Sequence, residues 1–287
     1  MSICRYCGQK AGWFSDAHES CVQKSNQGIG ALKTCVANAI VAGKQYGEIR
    51  MQLDKIVADA AIPQEQVLPA IEDGWSQGAE KRSISQPISD PEFSVISDIY
   101  RAAGLTRDDV VKTTGFRAMA FSFLIWTVLH DQIEPYQGPI HFNIQAGEVP
   151  VFGIANVLVS EEQITSSYVG GYSGASIRVA SGLYYHLGGV RGHRVQSTAL
   201  QELDYGDFLI TTRSIYFGGR EKGVNFRLPY SQVVRFQPYS DAVGICKNGA
   251  REKIFAPQQV PEAGWFLFNV LQALGAKESE VRLRATS

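Results

Sequence analysis

No stretch of this 287-residue sequence stays apolar for the ~20 residues that a bilayer-spanning helix needs. The longest candidate, Ala118 to Leu129, is closed off by Arg117 and His130 and reads as a buried helix. Charge of one sign is not in excess either. The 27 Lys and Arg against 28 Asp and Glu leave a formal net charge of −1, so the chain as a whole has no field to draw it onto a phosphate polymer or an acidic membrane. Any anion site must be a local patch. The N-terminus lacks a basic flank, an apolar run and a small-residue cleavage site, opening on Cys4 and Cys7 instead, and the expectation is a cytoplasmic protein. Cysteine is scarce and odd in number: there are five, three of them in the first 21 residues. Metal-binding sequences have that distribution, whereas disulfide scaffolds do not. Core material is plentiful, at 45% hydrophobic and 10% aromatic residues, enough for about two domains and incompatible with disorder throughout.

Several catalytic signatures are missing. Gly170-Gly171-Tyr172-Ser173-Gly174 has the glycines of a phosphate-cradling loop but neither the Lys-Ser/Thr pair of a P-loop nor a following helical pattern. No G-x-S-x-G elbow surrounds Ser166, Ser167, Ser173 or Ser176. His130 has no Glu three residues before it, so a di-metal Glu-x-x-His site is not formed there. Asp54, Glu65, Glu72 and Asp73 fall on polar faces and read as solvated surface. The chain is therefore read as a non-enzyme, leaving one other reading, a site assembled from residues distant in sequence.

The chemistry that is present sits at the start. Cys4-Arg5-Tyr6-Cys7-Gly8, then His18-Glu19-Ser20-Cys21, make C-x2-C-x10-H-x2-C. Four soft or borderline ligands in two close pairs suit tetrahedral Zn²⁺. The two-residue gap lets a tight turn aim both sulfurs at one ion, and Gly8 supplies permissive backbone after it. His18 and Cys21, three apart, share a face in the first turn of a helix. Four protein ligands leave no position for water, so one structural Zn²⁺ per chain is expected on Cys4, Cys7, His18 and Cys21, with Trp13 and Phe14 placed to cover it. In its ligand spacing this segment resembles treble-clef and related short zinc modules. Cys35 and Cys246 stand alone in apolar surroundings and read as core residues.

From Asn26 to Gln132 the period is helical. Ile29, Leu32, Val36 and Ile40 form one stripe; Ile49, Leu53, Ile56 and Val57 another; Val67, Leu68, Ile71 and Trp75 a third, beginning at Pro63. Ser83 to Pro91 reads as a connector, with Asp90-Pro91 as N-cap and first helical position of a helix stopped by Gly104. Thr106 with Asp108 and Asp109 predicts one further helix running to Trp126. Beyond the turn residues Pro135 to Pro139 the pattern becomes alternating and β-branched. Strands are predicted at Val149–Val159, Ile177–Tyr185, Phe208–Phe217, Val224–Leu228 and Val233–Phe236, with a hairpin centred on Asn248-Gly249. Pro261 to Leu274 then reads as one amphipathic helix with Gly275 as its stop.

Gly206-Asp-Phe-Leu-Ile-Thr-Thr-Arg213-Ser-Ile-Tyr-Phe217-Gly218-Gly219, followed by Leu228-Pro-Tyr-Ser-Gln-Val-Val and Pro238-Tyr-Ser-Asp241-Ala-Val-Gly, resembles bacterial pleckstrin-homology-like and GRAM-like domains, departing from them at Ser214 and Ala242. A short zinc module, a helical segment and such a domain together resemble a group of bacterial cytoplasmic proteins. The resemblance implies an α+β protein: a zinc module at residues 1–24, a helical bundle at 25–134, a β-barrel or sandwich capped by one helix at 138–276, and a tail at 277–287. It further implies a recognition scaffold or adaptor, with a protein or an anionic lipid headgroup at a membrane surface as partner. Arg178, Arg191, His193 and Arg194, in or beside the Gly-rich loop Leu187 to Arg194, are the candidate anion-binding residues. The alternative is a nucleic-acid-associated protein that meets phosphates through the zinc module and loop arginines, although three thiolates on one Zn²⁺ make that module locally negative.

Overall fold

The computed structural model describes residues 2–12, 15–162, 170–172, 176–180, 183–186, 190–192, 200–260 and 262–286. Two units divide the chain, Met1–Phe123 and Leu124–Ser287. The cysteine segment and most of the helices share the first. No helix among the described residues is long and apolar enough to cross a membrane.

In the first unit α1 (Glu19–Val41), α2 (Tyr46–Ala60), α3 (Gln64–Ser85), α4 (Asp90–Ala102) and the short α5 (Arg107–Val110) precede α6 (Thr114–Leu129), which runs across the division. The predicted stripes are the core: Leu32, Val36 and Ile40 of α1, Ile49 and Leu53 of α2, and Ile71, Trp75 and Ala79 of α3 are buried together with Ile96, Ile99 and Tyr100 of α4. Trp75 is fully enclosed, and its indole N–H donates to the Ile96 carbonyl at 2.8 Å. Helices α1 and α3 touch through glycine. A Cβ on Gly74 would stand 2.6 Å from the Lys33 carbonyl oxygen, and one on Gly78 2.8 Å from the Ala37 Cα.

Three helix boundaries differ from the sequence reading, each for a local reason. Ser89 rather than Asp90 caps α4, because the Glu92 carboxylate accepts from both the Ser89 N–H (2.9 Å) and its hydroxyl (2.6 Å), closing a capping box. The helix from Thr106 is broken into α5 and α6: the Thr113 hydroxyl donates to the Val110 carbonyl and accepts the Phe116 N–H, ending one helix and capping the next. Residues 83–85, read as the start of a connector, still belong to α3. Gly104 does end α4, at φ +93°.

The second unit holds a seven-stranded antiparallel sheet in the order β8-β7-β6-β1-β11-β10-β9. Its strands are β1 (Pro150–Glu162), β6 (Leu200–Thr211), β7 (Ser214–Gly219), β8 (Asn225–Pro229), β9 (Val233–Pro238), β10 (Val243–Lys247) and β11 (Lys253–Pro257). Between β1 and β6 come β2 (Gly170–Tyr172), β3 (Ser176–Ala180), β4 (Leu183–His186) and β5 (Val190–Gly192), paired β2 with β5 and β3 with β4. Strand β1 is central: β6 pairs along nearly all of it, β11 only from Val157 onward. The ladder shifts between Ile154 and Val157, where Asn156 takes φ +55°, a bulge that bends the strand. The sheet curls into a half-barrel. Phe226 of β8 and Phe255 of β11 are four strands apart in the order, ~19 Å in a flat sheet, yet their ring centroids are 5.9 Å apart. Phe208 and Phe217 fill the space between. Helix α7 (Ala263–Thr286) lays Ala263, Phe266, Leu267, Val270, Leu271 and Leu274 into the core.

Here too the structure corrects the expectation. Phe208–Phe217 is not one strand, since the Thr211 hydroxyl accepts the N–H groups of Arg213 (3.3 Å) and Ser214 (2.9 Å) and folds the chain from β6 into β7. Ile177–Tyr185 likewise divides between β3 and β4. Gly275 is no stop. It lies against the Phe236 ring, 3.3 Å from where its Cβ would be, and α7 continues through the segment from 277 that was expected as a tail. The Asn248-Gly249 hairpin forms between β10 and β11, with Gly249 at φ +69°.

Candidate metal centre and anion patch

The cysteine segment builds its site from two local pieces. Ile3 and Lys10 pair across a small hairpin, the Gly8 N–H donates to the Cys4 carbonyl at 2.9 Å, and Gly8 takes φ +71°. This knuckle turns Cys4 and Cys7 toward one point. The second piece is the start of α1: His18 is its N-cap and its carbonyl accepts from Cys21 and Val22, both at 3.0 Å, so Cys21 stands one turn above it. The ligand atoms of Cys4, Cys7, His18 and Cys21 all lie within 4.8 Å of one another.

The donor set fits one tetrahedral ion. His18 Nδ1 is 3.4 Å from the Cys7 sulfur and 3.7 Å from the Cys21 sulfur. Bonds of ~2.3 Å to sulfur and ~2.05 Å to nitrogen at the tetrahedral angle place such atoms ~3.5 Å apart. The imidazole is also held in the correct sense, since Nε2 is 3.0 Å from the Lys10 carbonyl oxygen. A carbonyl only accepts, so the proton sits on Nε2 and Nδ1 keeps its lone pair for an ion. Burial by itself would raise the Cys4 thiol, but N–H groups of His18, Cys7 and Tyr6 directed at its sulfur hold it at about 6. Burial and the neighbouring sulfurs push Cys21 up. A divalent cation among them removes that penalty and deprotonates all three. Cys4 is buried and Cys7 exposed. Trp13 and Phe14, expected to cover the site, lie outside the described residues. Cys35 and Cys246 are half-buried, and burial raises both thiols.

The anion candidates are distributed differently. Arg178 lies in β3, its position paired with Tyr184, and Arg191 in β5, paired with Gly171. The Leu187 to Arg194 stretch is therefore not all loop, because Val190–Gly192 is a strand paired with β2. His193 and Arg194 lie outside the described residues. Arg220 is engaged, to Asp207 at 2.5 Å and Asn156 at 3.2 Å, and Lys222 donates to the Glu202 carbonyl.

Two buried carboxylates escaped the sequence reading. Glu148 Oε1 and Oε2 are met by Arg227 (2.5 Å), Thr211 (2.8 Å), Ser214 (3.0 Å) and Tyr216 (3.0 Å). Asp204 accepts four backbone N–H groups, from Tyr205, Glu221, Lys222 and Val224, at 2.8–3.0 Å. For each, burial pushes the carboxyl up, and the donors overcome it and leave it below its ordinary value. Their satisfied geometry makes them structural ties. A cavity of about 100 Å³ opens over β1 and β6, lined by Tyr136, Phe142, Gly153 and Leu209 with Asp207 and Arg220 among its polar residues. It is small beside the ~300 Å³ of the tightest ligand sites.

No protein-family model matches the chain, and no curated protein matches it. Among solved structures, it is similar to one described as the N-terminally truncated linker-DH/PH domains of p115-RhoGEF, at 9% identity and a TM-score of 0.24, over 90% of this chain and 72% of that one. A likeness of that size carries no argument about fold or function. The curled sheet, its strand order and its closing helix rest on this chain's own pairing, and they are consistent with a pleckstrin-homology-like fold.

Proposed function

We propose that this chain is a non-enzymatic, zinc-binding recognition protein, with a metal module at 1–24, a helical part at 25–134 and a pleckstrin-homology-like β domain at 138–276 that docks a protein or an anionic headgroup. The observation that carries it is the Cys4, Cys7, His18, Cys21 cluster, whose ligand atoms lie within 4.8 Å of one another. Four ligands complete a tetrahedron, so the ion would supply folding energy and no open position for a reacting water. Supporting the β domain is the order β8-β7-β6-β1-β11-β10-β9 with α7 closing the curl, two antiparallel meanders joined through a shared first strand.

Metal analysis on protein purified without chelator tests this reading. One zinc per chain is expected, and Cys7→Ser should fall well below one while the β unit keeps its cooperative melt. Zinc still at one per chain in Cys7→Ser refutes the ligand set. Sedimentation with anionic vesicles tests the headgroup: Arg191→Ala combined with Arg194→Ala should reduce binding, and equal binding removes that partner.

A further inference from the structure

The four candidate ligands are unequally open to solvent. Cys4 is 1% exposed, His18 and Cys21 are half-buried, and Cys7 is exposed. Backbone N–H groups of His18 (3.5 Å), Cys7 and Tyr6 are directed at the Cys4 sulfur. They are also divided between two pieces of chain. Cys4 and Cys7 share the knuckle, where Ile3 pairs with Lys10 and the Cys4 N–H donates to the Gln9 carbonyl at 2.7 Å. His18 and Cys21 belong to the start of α1. An ion held by both pairs clasps the knuckle to the helix, and the clasp lasts only while both pairs can ligate.

We infer that this clasp is opened by peroxide: Cys7 is the sulfur oxidised first, Cys4 joins it in a disulfide, and the knuckle parts from α1. The inference rests on reading the four residues as a zinc site and adds how that site is regulated. Oxidation of a cysteine follows its thiolate character and its access. A bound divalent ion makes thiolates of all three cysteines, so access ranks them, and Cys7 comes first. Its thiolate attacks one oxygen of hydrogen peroxide, forming an S–O bond as the O–O bond breaks; hydroxide leaves, sulfur is oxidised to the sulfenic acid and oxygen is reduced. The Cys4 thiolate then attacks that sulfur, forming S–S and breaking S–O, and a second hydroxide leaves. Burial shields Cys4 from peroxide but not from Cys7, since all the ligand atoms lie within 4.8 Å of one another. Cys4 is in the same turn as Cys7, whereas Cys21 stands on the other piece. His18 and Cys21 are then left as half of a tetrahedral set, too few to hold the ion. A thiol reductant reverses the disulfide by exchange.

The test uses the full chain, its zinc content measured first, treated with hydrogen peroxide in the presence of a chromogenic zinc chelator. Samples are quenched with N-ethylmaleimide and the cysteines mapped by mass spectrometry. Zinc release should keep pace with a Cys4–Cys7 disulfide, while the half-buried Cys35 and Cys246 are still alkylated, and dithiothreitol with added zinc should restore the original metal content. Cys7→His and Cys21→His share one two-sulfur, two-nitrogen donor set and differ in which sulfur is gone. Cys7→His should release zinc about tenfold more slowly than wild type, and Cys21→His, which keeps the knuckle pair, should stay within about twofold of it. Equal slowing in the two variants, a first disulfide that contains Cys21, or zinc retained until Cys35 and Cys246 are oxidised would each overturn the inference while leaving the zinc site standing. Absence of zinc from the untreated wild type overturns the ligand set itself, and the inference with it. Should Cys7→His fail to hold zinc, the order in which the wild-type cysteines lose their reaction with N-ethylmaleimide decides alone.

Discussion

Glu148 shows what a single side chain contributes to the β unit. Its carboxylate is almost fully enclosed and ties the chain ahead of β1 to the β6–β7 turn and to Arg227 of β8. Burial would raise this carboxyl, but the Arg227 guanidinium and the hydroxyls of Thr211, Ser214 and Tyr216 prevail and lower it. An unfolded glutamate titrates near ~4.3, so the unfolded chain takes up its proton first on acidification. The stability from Glu148 is therefore complete above that value and is lost as pH falls from there through the lower folded value. Glu148→Gln should cost the β unit on the order of 2–4 kcal/mol at neutral pH and make its melting temperature less sensitive to pH between about 3 and 5. Thermal melts across that range check this; an unchanged acid slope in the variant would show that Glu148 is not the titrating tie.

At the scale of elements, a glycine inside a helix usually costs stability, and α3 has two, Gly74 and Gly78. The packing reverses that. Their missing side chains let α3 approach the α1 backbone at Lys33 and Ala37. Gly74→Ala should destabilise the helical unit by about 1–3 kcal/mol, because the added methyl meets backbone that cannot rotate away. Gly30→Ala, exposed on α1 with nothing within 4 Å of its Cβ, should instead stabilise it by up to ~1 kcal/mol. Urea titrations of the two variants followed by helical circular dichroism settle the pair: if both shift in the same direction, the close α1–α3 approach is wrong. The Glu92 box on Ser89 and the Thr113 cap between α5 and α6 are not singled out by the sequence reading, because which of two adjacent polar residues caps a helix depends on the turn's own geometry.

For the whole molecule, the division into two units predicts that metal removal is felt locally. A zinc chelator should speed amide exchange through residues 2–21 and the first turn of α1, where the Cys4 N–H to Gln9 and Gly8 N–H to Cys4 bonds depend on the knuckle, while amides of β1, β6 and β11 keep their protection. Exchange mass spectrometry with and without chelator reads this directly, and loss of protection in the sheet would contradict it.

By itself the sequence determined whatever lies within about one turn along the chain: the Cys4–Cys7 knuckle with Gly8, the His18–Cys21 pair on one helical face, the apolar stripes of α1 to α3, the stop at Gly104 and the Asn248-Gly249 hairpin. Their geometry follows from backbone dihedrals and side-chain spacing, which are local. Only the tertiary structure decided that the two ligand pairs meet, that the Lys10 carbonyl frees Nδ1 of His18, that Glu148 finds partners 63 to 79 residues away, and that Arg191 stands on a strand, β5, and not in a loop. Those pairings depend on which surfaces pack together. A carboxylate destined for burial between distant hydroxyls has the same local sequence signature as one left in water.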